Sequence, residues 1–319
     1  MVASTRGKMM VSRVVVRAPA TIANLGPGFD VFGLAISKPA DVVEGSISKS
    51  GIKITSITGV GAADLPRDSK KNIVSIAAAR VIDLLGCNRG LEFKIRKGIK
   101  PGGGMGSSGA CAAAGAVIAN EIFDGGLPMN KLIEAAAFAE GKIAGSIHYD
   151  NVTPAIAGGF TIVTSIKPFE YIALDPPRMK IVVAQPAIDV STRKAREILP
   201  KKVPVQSAVA NVGRASTMVA ALKVKNLAMF GRCMVDSIAE PVRAPLIPGF
   251  SKVKRAAIEA GALGAAMAGS GPAVFAVVEP RANTEKVATA MRRAFKGAGL
   301  KCDTIITSPG RGVRILKRR

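Results

Sequence analysis

The chain has 319 residues, a length that excludes a single small module and fits two lobes or one large α/β unit. Apolar residues make up 48% and charged residues 21%, so there is material for a packed core and a disordered chain is excluded. Lys and Arg number 45 against 22 Asp and Glu, a net charge of +23 that favours phosphate or nucleic acid as a partner.

In chain order, a strand is predicted over residues 11–16, rich in valine and ending at Ala18-Pro19. Asn24-Leu25-Gly26-Pro27-Gly28-Phe29-Asp30 reads as a tight turn that presents an amide and a carboxylate. Strand patterning resumes over 31–36 and within 41–57, a β-rich start and not an immediate βαβ repeat. Apolar residues at Ile73, Ile76, Ala77, Val81 and Leu84 predict a helix over 72–85, with Gly86 as its C-cap. A strand over 91–95 leads to a glycine-serine loop, an alanine-rich helix ending at Phe123, and a helix over 128–143 that carries Glu140. After Gly158-Gly159 strands return at 160–164 and 181–184, so two lobes are expected, 1–165 and 166–319. Helices are predicted over 208–224, 226–237 and 252–260, followed by a hairpin-like pair at 264–268 and 273–278. No repeat of fixed period is visible.

Several classes are set aside by composition. Single-stranded RNA readers join basic grooves to aromatic platforms, but Trp is 0, Tyr is 2 and aromatics are 4%, so specific nucleic-acid recognition is not expected. The basic residues are scattered, with one dense run at 311–319 that reads as a solvated face. Cys87, Cys111, Cys233 and Cys302 form no CxxC pair and His148 is the sole histidine, so no zinc site is written. The cysteines are expected to be buried free thiols, which fits a cytoplasmic protein. Residues 1–13 carry no apolar leader segment. Glycine and proline interrupt the charge-free stretches 101–120 and 260–278, so neither is expected to span a membrane.

The strongest chemical signal is Pro101-Gly102-Gly103-Gly104-Met105-Gly106-Ser107-Ser108-Gly109-Ala110-Cys111. Glycines let backbone approach an anion, and the helix behind the loop adds the positive end of its dipole, so phosphate is the natural guest. No Gly-Lys-Ser/Thr stands at Walker A spacing. Gly104 to Gly109 matches GxGxxG, but a dinucleotide fingerprint opens directly after a strand, and here eight residues separate it from Ile95. A glycine turn with a purely structural role is the competing reading. A serine hydroxyl at such a helix start and a carboxylate from a neighbouring helix suit Mg²⁺, roles that Ser108 and Glu140 fit. His148, Asp150 and Asn151 crowd one short segment, and Thr192, Arg196 and Arg243 add a hydroxyl and two guanidinium forks suited to carboxylate or phosphate.

Read together, three blocks resemble the GHMP small-molecule kinases, and among them the homoserine kinases of archaeal type. They are residues 18–30, the 101–111 loop and Ala268-Gly269-Ser270-Gly271-Pro272, with further likeness at 148–160, 195–200 and 240–248. The resemblance implies an α+β, two-lobed fold, with a ribosomal S5 domain 2-like N-terminal lobe and a ferredoxin-like C-terminal lobe. It implies transfer of the ATP γ-phosphoryl group to the hydroxyl of L-homoserine, giving O-phospho-L-homoserine for threonine biosynthesis. Residues 101–111 would hold the ATP phosphates, Ser108 and Glu140 would hold Mg²⁺, and Asn72 would lie near the adenine. Asn24, Asp30, His148, Asn151, Thr192, Arg196 and Arg243 match residues around the amino acid. Asp30 would meet the ammonium, Arg196 and Arg243 the carboxylate, and Asn151 the attacking hydroxyl, which places Ser108, Glu140, Asn151 and Arg196 in the catalytic group. No general base is nominated, because phosphoryl transfer rests on alignment and charge stabilisation. Met105 and Gly109 depart from the more usual Leu and Ala, mild changes in a loop that works through backbone. A homodimer is the expected assembly.

Two alternatives stand beside this. A mevalonate- or shikimate-type kinase of the same superfamily would give Asp30 no ammonium to meet. A non-catalytic RNA-binding protein with an S5-like lobe would have no need of a Ser108 and Glu140 metal clamp.

Overall fold

The protein is described by a computed structural model covering residues 11–145 and 147–319. The leader expectation for residues 1–13 therefore falls almost wholly outside the described residues, as does Ser146.

β1 (Arg13–Ala23) alternates Val14, Val16, Ala18, Ala20 and Ile22 into the core. It extends past the predicted end at residue 16 because Pro19 sits where the ladder shifts register, between Pro19 and Thr21. A residue without an N–H costs nothing at such an irregularity. β2 (Phe32–Ser48) turns back antiparallel along β1, merging the strand expected over 31–36 with the first half of the stretch expected within 41–57. β3 (Ile52–Gly59) and β4 (Gly90–Lys97) pair in parallel, joined through α1 (Ile73–Leu84). After α2 (Ser107–Ile122), α3 (Met129–Ala144) and α4 (Tyr149–Ala157), β5 (Phe160–Ile166) joins β2 and β6 (Phe169–Leu174) joins β5. α2 is so rich in alanine and glycine that nearly all of it lies buried between its neighbours. The fourth helix was not visible in the sequence, since it is short, has no side-chain cap and contains Pro154.

The second sheet is antiparallel throughout. β7 (Lys180–Pro186) leads through α5 (Thr192–Glu197), α6 (Val205–Lys223), α7 (Leu227–Arg232), α8 (Ala239–Arg243) and α9 (Phe250–Glu259) into the hairpin β8 (Gly264–Met267) and β9 (Val274–Val278). α10 (Thr284–Lys296) and β10 (Cys302–Thr307) complete it in the order β10-β7-β9-β8, the expected ferredoxin-like arrangement. The helix predicted over 226–237 ends at Arg232. Beyond it, the buried Asp236 carboxylate accepts the main-chain N–H groups of Ile238, Ala239 and Glu240 and starts the next helix.

β11 (Arg314–Arg318) returns to the edge of the first sheet beside β1, every residue exposed, which matches the solvated reading of the basic run. All four cysteines are free, but only Cys111 is buried. The expectation of burial fails for Cys87 in the loop after α1, Cys233 just past α7 and Cys302 at the start of β10, each partly exposed. Among the described residues no helix is long and apolar enough to cross a membrane.

Candidate active site

A cleft of about 310 Å³ opens between the two sheets' loops. Its first wall is the glycine-serine loop. Gly102, Gly104 and Gly106 hold φ of +69°, +80° and +60°, a region side chains disfavour. A Cβ on Gly104 would stand 2.8 Å from the Gly271 carbonyl oxygen, and one on Gly106 would stand 1.9 Å from Thr21 Oγ1. Glycine is thus required where this loop presses against 268–272 and β1. Gly106 caps α2 with no side-chain hydrogen bond, which leaves the first-turn N–H groups aimed outward, an anion site by geometry. Met105, Gly109 and Ala110 do not line the cleft; they are buried behind it.

Under the loop lies a cluster that the sequence reading missed. The Lys97 ammonium, 1% exposed, pairs with the fully buried Asp41 carboxylate and donates to Ser107 Oγ at 2.8 Å. Asp41 Oδ1 also accepts from Gly98 N at 2.9 Å and Ile99 N at 3.0 Å, fixing the chain just before the loop. Burial works against the Lys97 charge, but Cys111 and Asp41 outweigh it and hold its pKa above the ordinary lysine value. Burial pushes the Cys111 thiol up to about 12. The only sequence signal was a lysine at an inward position of an alternating strand.

Asn72 lines the cleft, but its side chain is spent on backbone: Oδ1 accepts from Val74 N at 3.0 Å and Nδ2 donates to Pro66 O at 2.7 Å. It shapes this end of the cleft as the N-cap of α1. Glu140, 3% exposed, faces the cleft from α3; its Oε1 is buried and has no hydrogen-bond partner among the described residues, while Oε2 lies 3.4 Å from His148 Nδ1. That contact, against the opposing effect of burial and with help from Asp150, raises the His148 pKa. Ser108, exposed at the start of α2, lines the same cleft.

At the opposite end, Asn24 Nδ2 donates to Gly269 O at 2.9 Å and its Oδ1 accepts from Asp30 N at 3.0 Å. Asp30, at φ +57°, receives two guanidinium hydrogen bonds from Arg196, at 3.0 and 2.6 Å. The buried Arg243 donates Nε to Ala195 O at 2.9 Å, and burial lowers its pKa. The Phe29 ring lies 5.0 Å from the Arg243 guanidinium and 5.8 Å from that of Arg196, a shared π surface between like charges that was not singled out from sequence. Thr192 and Ser270 hydroxyls are 3.2 Å apart, and Thr21 donates to Asn151 Oδ1 at 2.8 Å. All seven residues expected around a small substrate line this one cavity.

Asp150, also on the wall and buried, is pushed up to about 7 by desolvation and by Asp30, with His148 and Arg196 opposing. A raised carboxyl pKa means the folded state binds more protons than the unfolded chain between about 4 and 7, so this group's contribution to stability falls as pH rises through that window. Thermal unfolding of Asp150→Asn is expected to show a shallower loss of stability from pH 5 to 8 than the parent chain; identical profiles would remove the assignment.

A glycine-serine loop at a helix start on one lobe, facing polar side chains drawn from both, is the architecture of two-lobed small-molecule kinases. Comparison with known proteins places the chain within that class. The family of GHMP kinase N-terminal domains matches residues 72–159, and that of GHMP kinase C-terminal domains matches residues 218–297. The homoserine kinase of Pyrococcus furiosus is 43% identical over 94% of this chain and 99% of its own. The crystal structure of homoserine kinase from Cytophaga hutchinsonii superposes with a TM-score of 0.92 at 37% identity, covering 98% of this chain and 100% of that one. The crystal structure of L. major mevalonate kinase in complex with R-mevalonate shares the fold at a TM-score of 0.73 and 17% identity, covering 92% of this chain and 95% of that one. The chain belongs to the homoserine kinase family of GHMP kinases.

Proposed function

We propose that the protein transfers the γ-phosphoryl group of ATP to the side-chain hydroxyl of L-homoserine, producing O-phospho-L-homoserine and ADP in threonine biosynthesis. One observation carries the reading: a single cleft joins the glycine-serine loop at one end to Asp30, Arg196 and Arg243 at the other. The backbone of 101–111 and the start of α2 would bind the triphosphate, with Ile73, Asn72 and Pro66 around the base. A buried, unpartnered carboxylate oxygen on Glu140 and the exposed Ser108 hydroxyl are hard donors that fit Mg²⁺. When bound, that ion supplies charge neutralisation on the phosphoryl oxygens.

The amino-acid end favours a zwitterion on electrostatic grounds. Asp30 and Arg196 satisfy one another, so a ligand that engages both must offer each a counter-charge. Homoserine does so with its ammonium and carboxylate, whereas a hydroxy acid would leave Asp30 unmatched. Arg243, tied to the Ala195 carbonyl, gives the carboxylate a second, rigid fork. Asn151, held by Thr21, would orient the attacking hydroxyl toward the loop. The expected lobes, 1–165 and 166–319, are kept as a proposal with the boundary moved past β6, which pairs with β5 in the first sheet, and with β11 tying the chain end back to that sheet. The working form is taken as a cytoplasmic homodimer.

ADP release measured with homoserine, mevalonate and shikimate as acceptors tests the assignment. Turnover is expected with homoserine and Mg²⁺; equal turnover with mevalonate, or none with homoserine, would overturn it. Within this reading Phe29→Leu is expected to raise KM for homoserine by roughly tenfold, the weight of one to two cation–π contacts, while KM for ATP stays nearly constant. Phe29→Tyr should restore it; a parallel rise in both KM values would instead mean that the ring only supports the fold.

A further inference from the structure

The four most exposed large apolar side chains among the described residues are Val205, Val212, Val209 and Val224, at 77%, 66%, 64% and 64%. All belong to α6 or its C-cap. The first three recur at i, i+4 and i+7, and Gly213, Ser216 and Ala220 are exposed on the same side. From Val203 to Leu222 the only charged residue is Arg214, which turns away and donates to Ser237 Oγ at 2.6 Å. An uncharged apolar strip of this kind on a chain of net charge +23 is out of keeping with the rest of the molecule.

The order of side chains along the strip indicates its occupant. Placing a two-fold axis between Val212 and Gly213 sets Val205 opposite Ala220, Val209 opposite Ser216 and Val212 opposite Gly213 of a second, antiparallel copy. Each pairing puts a valine against a small residue, the knob-and-hole match that close helix packing needs. Gly213 leaves the centre open: a Cβ there would meet nothing within 4 Å. Charge selects the same partner. Two copies at +23 repel wherever basic surface meets basic surface, and this strip is a face on which they can touch without that cost. An acidic heterologous partner would gain nothing from a strip without charge.

We propose that two copies of this chain associate through the outer face of α6, packed antiparallel about an axis at Val212 and Gly213. This deepens the homodimer stated above and rests on it. Light scattering on the full-length parent chain, from micromolar to hundreds of micromolar, should show a dimer whose dissociation constant does not rise with added salt, since salt screens only the repulsion. The double variant Val209→Glu/Val212→Glu should raise that constant at least about a hundredfold by forcing unpaired carboxylates into the contact. A second variant guards against misfolding: Val209→Cys/Ser216→Cys places thiols about 10 Å apart along one helix, too far to join within a chain, so mild oxidation should yield covalent dimers. The parent chain with its four native cysteines, and Ile166→Cys at an exposed site on β5, should yield none. A dimer that survives the glutamates, or a cysteine pair that does not cross-link, would overturn this face while leaving the homodimer standing. A parent chain that stays monomeric throughout would overturn both.

Discussion

Lys97→Met is expected to destabilise the protein by about 3–5 kcal/mol, the cost of stranding a buried carboxylate. Asp41 is fully buried and would keep only its two main-chain donors, Gly98 and Ile99, once the ammonium is gone. The same change removes the donor to Ser107 Oγ at the first residue of α2, so the glycine-serine loop loses a support from below. Denaturant unfolding should therefore show a lower midpoint, and KM for ATP should rise in the fraction that remains folded. Adding Asp41→Asn to Lys97→Met should recover part of the loss, because the amide oxygen still accepts from backbone and no charge is buried. A single variant within about 1 kcal/mol of the parent would show that the pair contributes little, as exposed ion pairs do.

Glu140→Gln is expected to lower kcat by roughly 10²- to 10³-fold, the usual consequence of deleting one electrostatic group from a phosphoryl-transfer site. The substitution is isosteric and the residue is 3% exposed beside His148, so the fold should hold. Its signature is a changed dependence of rate on Mg²⁺ concentration with little change in homoserine binding by calorimetry. Equal losses in metal response and in homoserine affinity would point instead to Glu140 acting through His148 on the amino-acid pocket. The contrast is useful because Oε1 and Oε2 face different tasks: the first has no hydrogen-bond partner among the described residues, and the second touches the imidazole. Ser108→Ala should give a smaller loss of the same kind, since a hydroxyl contributes less field than a carboxylate.

The elements most legible in the sequence were those whose periodicity was strong and whose ends were marked. α1 was placed within a residue by its apolar spacing and Gly86, and the hairpin of β8 and β9 by two short apolar runs around Gly269-Ser270-Gly271-Pro272. Elements held mainly by tertiary contacts were missed or mis-sized. The fourth helix carries Pro154, α7 stops where Asp236 takes over the backbone, and the strand through Pro19 runs on because a register shift accommodates it. The same division runs through the site. Ser108, Glu140, Asp30 and Arg196 were nominated from local chemistry and resemblance, whereas Phe29, Asp150 and Lys97 gained meaning only from what they face.

What the amino-acid order determined alone was chemistry that neighbours in the chain can supply: a glycine-serine turn running directly into a helix, whose backbone dipoles suit an anion whatever surrounds it. It also carried the family, through blocks spread along most of the chain. Tertiary structure decided everything that depends on distant residues meeting. Asp30 and Arg196 lie 166 positions apart yet share two hydrogen bonds, and Lys97 is an ordinary strand lysine until Asp41, from another strand, closes on it. Such pairings rest on burial and on the exclusion of water, and neither is a property of a residue before the chain folds around it.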